Sequence, residues 1–487
     1  MKKGAISGMI WKFSERISAE LVSFVVSVIL ARILIPEDYS VVGIVAIFFS
    51  FSEVLISGGF NSALIQKKDV DETDYSSVML LSLAISGVVY FILFFCAGWI
   101  SRIYKQDLIV PVLRVMGLVL FINAYKSVLS AYVSNRLEFK KYFASTIGGT
   151  VVSAIVGIIM AYKGFGPWAL VAQQMTNSLI DTLILSVTTG YKPAFRISFK
   201  RLKSLFDYGG KIYLSSIISV IYDEIKPLIV GIRFSGTDLA FYNKGESFPR
   251  LLNASISDTI SAVLFPVISK VQDEAESVRN MTRRFIGITS FIVFPMMVGL
   301  MVIADNFVIV ILTEKWIPIV PYIRIFCFSY MFNIIQVANL QAIKAIGRSD
   351  IFLKLEIIKK LSYLGIILGF VLLSSSPVIL AMSTIVTTIV STIANTYPNR
   401  KLIGYRYRYQ IMDLLPNLIS SIVMGIGVYF LGLIQIDKLV VMIIQIVSGI
   451  TIYYAIGLIS KNRNLRSLLD IVGQYSAGIR KREKGGI

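Results

Sequence analysis

Apolar stretches of about twenty residues or more, separated by short polar breaks, recur along the whole 487-residue chain. About twenty apolar residues in a helix cross the hydrocarbon core of a bilayer. Only helices and closed barrels can do so without stranding backbone polar groups. Fourteen such runs can be drawn, near 8–34, 39–64, 76–100, 111–134, 142–162, 167–189, 206–233, 238–268, 285–304, 321–344, 351–373, 377–398, 412–434 and 438–459. No break between them has room for a separate soluble domain. Hydrophobic residues make up 55% of the chain and charged ones 16%, and the mean hydropathy is +0.74. The expected fold is all-α and polytopic, with about 14 transmembrane helices.

The breaks sort by charge. One set of alternate loops holds Lys67 and Lys68; Arg136, Lys140 and Lys141; Lys192, Arg196, Lys200, Arg201 and Lys203; and Lys270, Arg279, Arg283 and Arg284. The same side continues with Lys344, Arg348 and Lys354, then Arg400, Lys401, Arg406 and Arg408, and ends in a basic tail over 461–487. The opposite loops carry few charges. The positive-inside rule places both termini in the cytoplasm, and an even number of spans agrees. This bias also accounts for the net charge of +19, so no nucleic-acid partner is expected. The segment after Lys2 and Lys3 is too long and too charged for a cleavable signal peptide, and is expected to be retained.

Histidine is absent, which removes the commonest general base and the commonest metal ligand. Cys96 and Cys327 sit in apolar runs as buried thiols. No metal, cofactor or catalytic centre is expected.

The first run, Ser7 to Leu34, carries Lys12, Glu15, Arg16 and Glu20. At about 100° per residue these share one arc of roughly 140° with Ala19, Ser23 and Ser27. A charge at the centre of a span costs about 3 kcal/mol and should face a bundle interior or a wet cavity. Mutual pairing at i,i+3 and i,i+4 explains how the charges are tolerated. It does not explain why they share a face with serines, so this helix is read as lining a hydrophilic chamber.

Other spans repeat the pattern. Gly43, Ala46, Ser50, Glu53, Ser57 and Asn61 share a face of the second, and Asn123, Lys126, Ser127, Ser130 and Ser134 a face of the fourth. The seventh aligns Tyr208, Lys211, Ser215, Ser219, Tyr222 and Lys226, with Asp223 at the edge and Glu224 further round. The eighth aligns Lys244, Ser247, Ser255 and Asp258, with Glu246, Arg250 and Asn253 on a second strip; the tenth contributes Asn333, Gln336 and Lys344. Helix packing accounts for most of the serines and glycines. It accounts less well for Lys12, Arg16, Lys126, Lys211, Lys226, Lys244 and Arg250, a cationic set suited to an anionic substrate. Glu15, Glu20, Glu53, Asp223, Glu224 and Asp258 are placed to balance them or to carry a coupling proton or sodium ion. Pro227, Pro249, Pro266 and Pro295 fall in or near spans seven to nine, as fixed kinks or as hinges.

An ordered series of matches marks an internal repeat. At an offset of 200, LARILIPEDY lies over VGIRFSGTDL, pairing Asp38 with Asp238. At an offset of 210, PVLRVMGLVLFIN lies over PYIRIFCFSYMFN, pairing Pro111 with Pro321, Arg114 with Arg324 and Asn123 with Asn333; Pro167 then falls on Pro377. The unit is six helices, which implies two six-helix lobes related by a pseudo-twofold along the membrane normal, with a cavity between them and two C-terminal helices outside the repeat. The expected organisation is an N-terminal lobe over 1–190, a cytoplasmic amphipathic linker over 191–205, a C-terminal lobe over 206–400, two further helices over 401–460, and the basic tail. The linker interleaves basic residues with Phe195, Ile197, Phe199, Leu202, Leu205 and Phe206, as a helix lying on the membrane surface does.

ARILIPEDY after the first helix, GGFNSALIQ closing the second and the acidic loop after KKD form a distinctive opening. The chain resembles the polysaccharide-exporter branch of the multidrug/oligosaccharidyl-lipid/polysaccharide flippase superfamily, closest to a Wzx-type subgroup that includes colanic-acid and teichuronic-acid transporters. YVSNRLEFKKYF, GFGPWALV and YNKGESFPRLL extend the resemblance over most of the chain. It implies a V-shaped monomer in the bacterial plasma membrane that moves undecaprenyl-diphosphate-linked oligosaccharide to the outer leaflet for O-antigen, capsule or exopolysaccharide. It further implies a glycan polymerase and a chain-length regulator as partners. Two alternatives stand beside it: a lipid II flippase, and an ion-coupled exporter of cationic drugs, which the many cations disfavour. A membrane glycan polymerase is disfavoured by the short external loops and the missing histidine.

Overall fold

The computed structural model describes residues 2–67 and 69–470. Over them the chain is a series of helices: α1 (Lys2–Ile33), α2 (Pro36–Ser57), α3 (Phe60–Gln66), α4 (Glu72–Tyr104), α5 (Ile109–Met116), α6 (Val119–Asn135), α7 (Phe139–Tyr162), α8 (Pro167–Thr189) and α9 (Phe199–Arg233). There follow α10 (Gly236–Ser269), α11 (Ala275–Ile311), α12 (Val320–Ala345), α13 (Ser349–Leu373), α14 (Pro377–Thr396), α15 (Asn399–Leu402), α16 (Tyr407–Leu431) and α17 (Lys438–Ile459). Each of the fourteen apolar runs coincides with a helix or with a helix pair. Among the described residues nine segments are long and apolar enough to cross a membrane by themselves; α1, α8, α9, α10 and α13 carry more charged or polar residues. Pro227, Pro249, Pro266 and Pro295 all lie inside continuous helices.

The chain forms two compact units, Met1–Ala240 and Phe241–Ile487. In the first, α7 packs on α8 and α1, α6 on α4 and α8, and α9 on α2, α3 and α4. The seventh long helix is therefore built into the first unit. In the second, α11 is the hub: α12, α16 and α17 pack on it, and α14 packs on α12 and α13.

The second long run is broken at Gly58–Gly59. Gly59 has φ +88°, and a Cβ there would meet the Gly209 carbonyl oxygen of α9 at 2.3 Å. A Cβ on Gly209 would in return meet the Gly59 oxygen at 2.8 Å. Two backbones thus cross in direct contact, which only residues without a Cβ permit. Close by, the rings of Tyr75, Tyr132 and Tyr191 meet edge-on or tilted with centroids 5.0–6.1 Å apart, in a core that includes Phe60, Leu64, Met79 and Leu129.

The residues matched by the repeat perform matching local tasks. Asp38 accepts a hydrogen bond from the Ile35 N–H at 3.1 Å, and Asp238 one from the Ser235 hydroxyl at 2.7 Å; each closes the first turn of its helix. Arg114 donates to the Phe94 carbonyl on α4, and Arg324 to the Met301 carbonyl on α11. Pro167 and Pro377 each open a helix. The turns that close α6 and α12 also agree. Leu137 donates to the Ser134 carbonyl and Gly347 to the Lys344 carbonyl, while Glu138 and Arg348 reach back to the Val133 and Ile343 carbonyls. Both turn residues have positive φ, +57° for Leu137 and +78° for Gly347.

That last pair carries a prediction. A left-handed conformation costs a side-chain-bearing residue about 1–2 kcal/mol, and glycine returns about 0.5–1 kcal/mol of this as unfolded-chain entropy. Leu137 is 54% exposed, so little packing is lost with it. Leu137→Gly is expected to raise the melting temperature of the detergent-purified protein by about 1–3 °C, and Leu137→Val to lower it. A lower melting point for the glycine variant would show that Leu137 contributes packing that outweighs its backbone strain.

The expected surface helix over 191–205 is not formed. Residues 191–198 lie outside any helix, and the helix starts at Phe199 as the first turn of α9. Pro193 lacks an N–H and disfavours a helical residue before it. The hydroxyls of Ser76 and Ser77 instead accept the backbone N–H groups of Ala194 and Ser198, both at 3.0 Å. An amphipathic composition does not distinguish a surface helix from a pinned non-helical segment.

The two C-terminal helices are held by buried amides. Asn306 on α11 donates to Gln445 on α17 at 3.0 Å, and Asn417 on α16 donates to Ser290 on α11 at 2.8 Å. Asn339 on α12 donates to Gln410 on α16 at 3.1 Å and accepts from Asn399 at 2.7 Å. Between apolar helices such bonds fix rotation and register where the hydrophobic effect does not.

Candidate functional site

The polar stripes of the second and fourth spans meet. Glu53 and Ser57 of α2, Asn61 of α3, Asn123, Lys126, Ser127 and Ser130 of α6, and Ser178 of α8 line one cleft of about 350 Å³ in the first unit. Asn123 donates to Glu53 Oε1 at 2.9 Å. Lys126 Nζ stands 2.6 Å from Asp181 Oδ2 on α8; the lysine side chain is 29% exposed and the aspartate 5%. Gly149 on α7 lets α8 approach, since a Cβ there would lie 2.9 Å from Asp181 Cβ. The second oxygen of Asp181, Oδ1, has no hydrogen-bond partner among the described residues. The cleft is therefore a half-wet surface with one ammonium, one exposed carboxylate, hydroxyls, amides and a buried carboxylate behind the ammonium. Such a surface can exchange one anionic partner of Lys126 for another.

Of the charged residues singled out from the sequence, Glu53 and Lys126 fall in this cleft, together with Ser57, Asn61, Asn123, Ser127 and Ser130 of their polar stripes. Glu15 is buried between α1 and α7, where its Oε1 accepts from Thr146 at 3.1 Å; Glu20 is half-buried on α1. Lys226 is buried on α9, with Asp223 exposed and Glu224 half-buried beside it. Lys244, in the second unit, is buried against Trp316 and Phe248, with ring centroids 5.8 and 5.9 Å away. Arg250 is exposed on α10, and Glu246 accepts from the Tyr330 hydroxyl at 2.7 Å. The side chains of Lys12, Arg16, Lys211 and Asp258 lie outside the described residues, as do residues 471–487 of the basic tail.

Asp181 was absent from the residues expected to matter. The sign of it was present: it is the single charged residue of the run 167–189, and a lone carboxylate within a span needs a partner or a purpose.

The second unit builds the same trio of helices with neutral residues at these positions. At the position of Glu53 stands Asn253, and at that of Lys126 stands Gln336. Asn333, the counterpart of Asn123, donates to Ser257 at 3.4 Å, and Ser257 donates to Asn253 at 3.3 Å. Gln336 donates to Thr392 Oγ1 at 3.1 Å on α14, the counterpart of α8. At these positions amides and hydroxyls link α10, α12 and α14, where a carboxylate, an ammonium and a second carboxylate stand in the first unit.

A long all-helical chain with duplicated six-helix halves and a charged cleft in one of them has the build of a membrane transporter. The backbone agrees. It superposes on the lipid II flippase MurJ in its inward closed conformation with a TM-score of 0.76, over 95% of this chain and 100% of that one at 16% identity, so the two chains share a fold. The chain belongs to the family described as polysaccharide biosynthesis proteins, whose sequence profile matches residues 29–321. It is 22% identical over 451 residues to the lipopolysaccharide biosynthesis protein WzxC of Escherichia coli (strain K12), covering 88% of each chain. The teichuronic acid biosynthesis protein TuaB of Bacillus subtilis (strain 168) is also 22% identical, over 62% of this chain and 63% of its own.

Proposed function

We propose that the protein is a flippase that carries undecaprenyl-diphosphate-linked oligosaccharide units across the bacterial plasma membrane by alternating access, for assembly of surface polysaccharide. The observation that carries this reading is the charged cleft, built at positions where the second unit has neutral residues. Its family, and the polysaccharide pathways in which WzxC and TuaB are named, supply the substrate class. The loops rich in lysine and arginine face the cytoplasm by the positive-inside rule. A glycan polymerase and a chain-length regulator receive the product on the far side.

In this reading Lys126 meets a phosphoryl oxygen of the diphosphate. Its bond to Asp181 is given up as it does so. Release of the glycan reverses the exchange, and Lys126 returns to Asp181. Glu53, held by Asn123 at the cleft wall, repels a phosphate that approaches without engaging Lys126, and so sets where the diphosphate sits.

The test is the fate of lipid-linked glycan in cells lacking the protein. Completed units should accumulate on the cytoplasmic leaflet, with surface polymer lost, and their mass identifies the sugar. Normal glycan with new sensitivity to cationic drugs would overturn the reading in favour of a drug exporter of the same fold.

A further inference from the structure

The non-helical segment between α8 and α9 is fastened on one side and open on the other. On the fastened side Ser76 and Ser77 hold its backbone, and Arg201 bridges to Asp71 at 2.5 Å and to Asp74 at 3.4 Å. Lys67 reaches the same Asp74 at 2.6 Å. Tyr191, Leu202 and Leu205 are buried beneath it. On the open side Phe195, Ile197, Phe199 and Phe206 are 70%, 49%, 76% and 52% exposed. Exposed Lys192, Arg196, Lys200 and Lys203 alternate with them, and among the described residues none of these four side chains is in an ion pair. Phe195 is held at φ +48°, a conformation that a bulky side chain rarely adopts. The segment begins two residues after α8 ends, at the end of a span.

Water is a poor neighbour for three phenylalanines fixed in place. A groove-binding peptide would want an apolar face, and this face is studded with cations. The two aspartates below it are already paired, so the outer side is net positive. Rings that sink to the acyl boundary, with ammonium and guanidinium groups at phosphate level, match the chemistry of an anionic leaflet.

We propose that residues 191–206 form a platform for anionic phospholipid headgroups of the leaflet they face. The serine and aspartate contacts hold the platform, and the lipid is a standing partner distinct from the transported glycan. The probe is the full chain purified from an equal mixture of phosphatidylglycerol and phosphatidylcholine, with bound lipid counted by native mass spectrometry. The wild type should retain phosphatidylglycerol preferentially. K192Q/R196Q/K200Q/K203Q should retain it about tenfold less, since each basic residue at a membrane surface contributes measurably. Phe195→Ser/Phe199→Ser leaves the charges in place, serves if the first variant does not fold, and should lower retention about threefold, a smaller effect expected from losing ring burial alone. Equal retention of the two lipids by the wild type, or a preference unchanged in both variants, would overturn the proposal.

Discussion

Replacing Gly59 with alanine is expected to unfold the first unit or to lower the melting temperature of the purified protein by about 10 °C. Two costs add. The residue sits at φ +88°, where any side chain is strained by about 1–2 kcal/mol. Its new Cβ would also lie 2.3 Å from the Gly209 oxygen, and the obstacle is a backbone, which cannot rotate aside as a flexible side chain can. Relief requires α3 and α9 to part, and that exposes the contacts of Phe60, Leu64, Leu202 and Leu205 in the core beneath. Gly98 is a control, since no atom lies within 4 Å of a Cβ built on it; Gly98→Ala should melt with the wild type. A melting curve for Gly59→Ala within 2 °C or so of wild type would mean that the crossing is looser than the geometry describes.

Lys126→Gln is expected to cost about 3–5 kcal/mol and to abolish glycan export, because it leaves Asp181 buried without its cation. The double variant Lys126→Gln/Asp181→Asn should recover most of the stability, for it imports the neutral solution that Gln336 and Thr392 already provide in the second unit. It should not recover export. The split between melting temperature and surface polymer is the informative readout. A double variant that melts and exports like the wild type would show that the pair serves neither purpose; one that remains unstable would show that it is structural.

Much of the fold was legible because a bilayer imposes one length on every span. Apolar runs had to be helices, and their number and order followed. The breaks within runs were less visible. Gly58–Gly59 depends on an approach by α9, some 150 residues away in sequence, and no local pattern announces it. The segment after α8 misled for a different reason: alternating phenylalanines and basic residues satisfy an amphipathic helix and a pinned non-helical segment alike, and the deciding hydroxyls belong to α4. Facing stripes on α2 and α6 were readable from helical periodicity, and they do share a cleft. Their pairing was not, since Lys126 takes its partner from α8. Lys244 shows the opposite limit: periodicity put it on a polar strip, while Trp316 and Phe248 stand against its ammonium.

The duplicated scaffold carries its charges once. Where Asn123 meets a carboxylate, its twin Asn333 meets a hydroxyl; where Lys126 meets Asp181, Gln336 meets Thr392. At these matched positions the exchangeable ion pair stands in the first half alone. In the proposed cycle a cargo that draws Lys126 away from Asp181 therefore has no second pair to turn to, and the loss of this one has no counterpart to compensate for it.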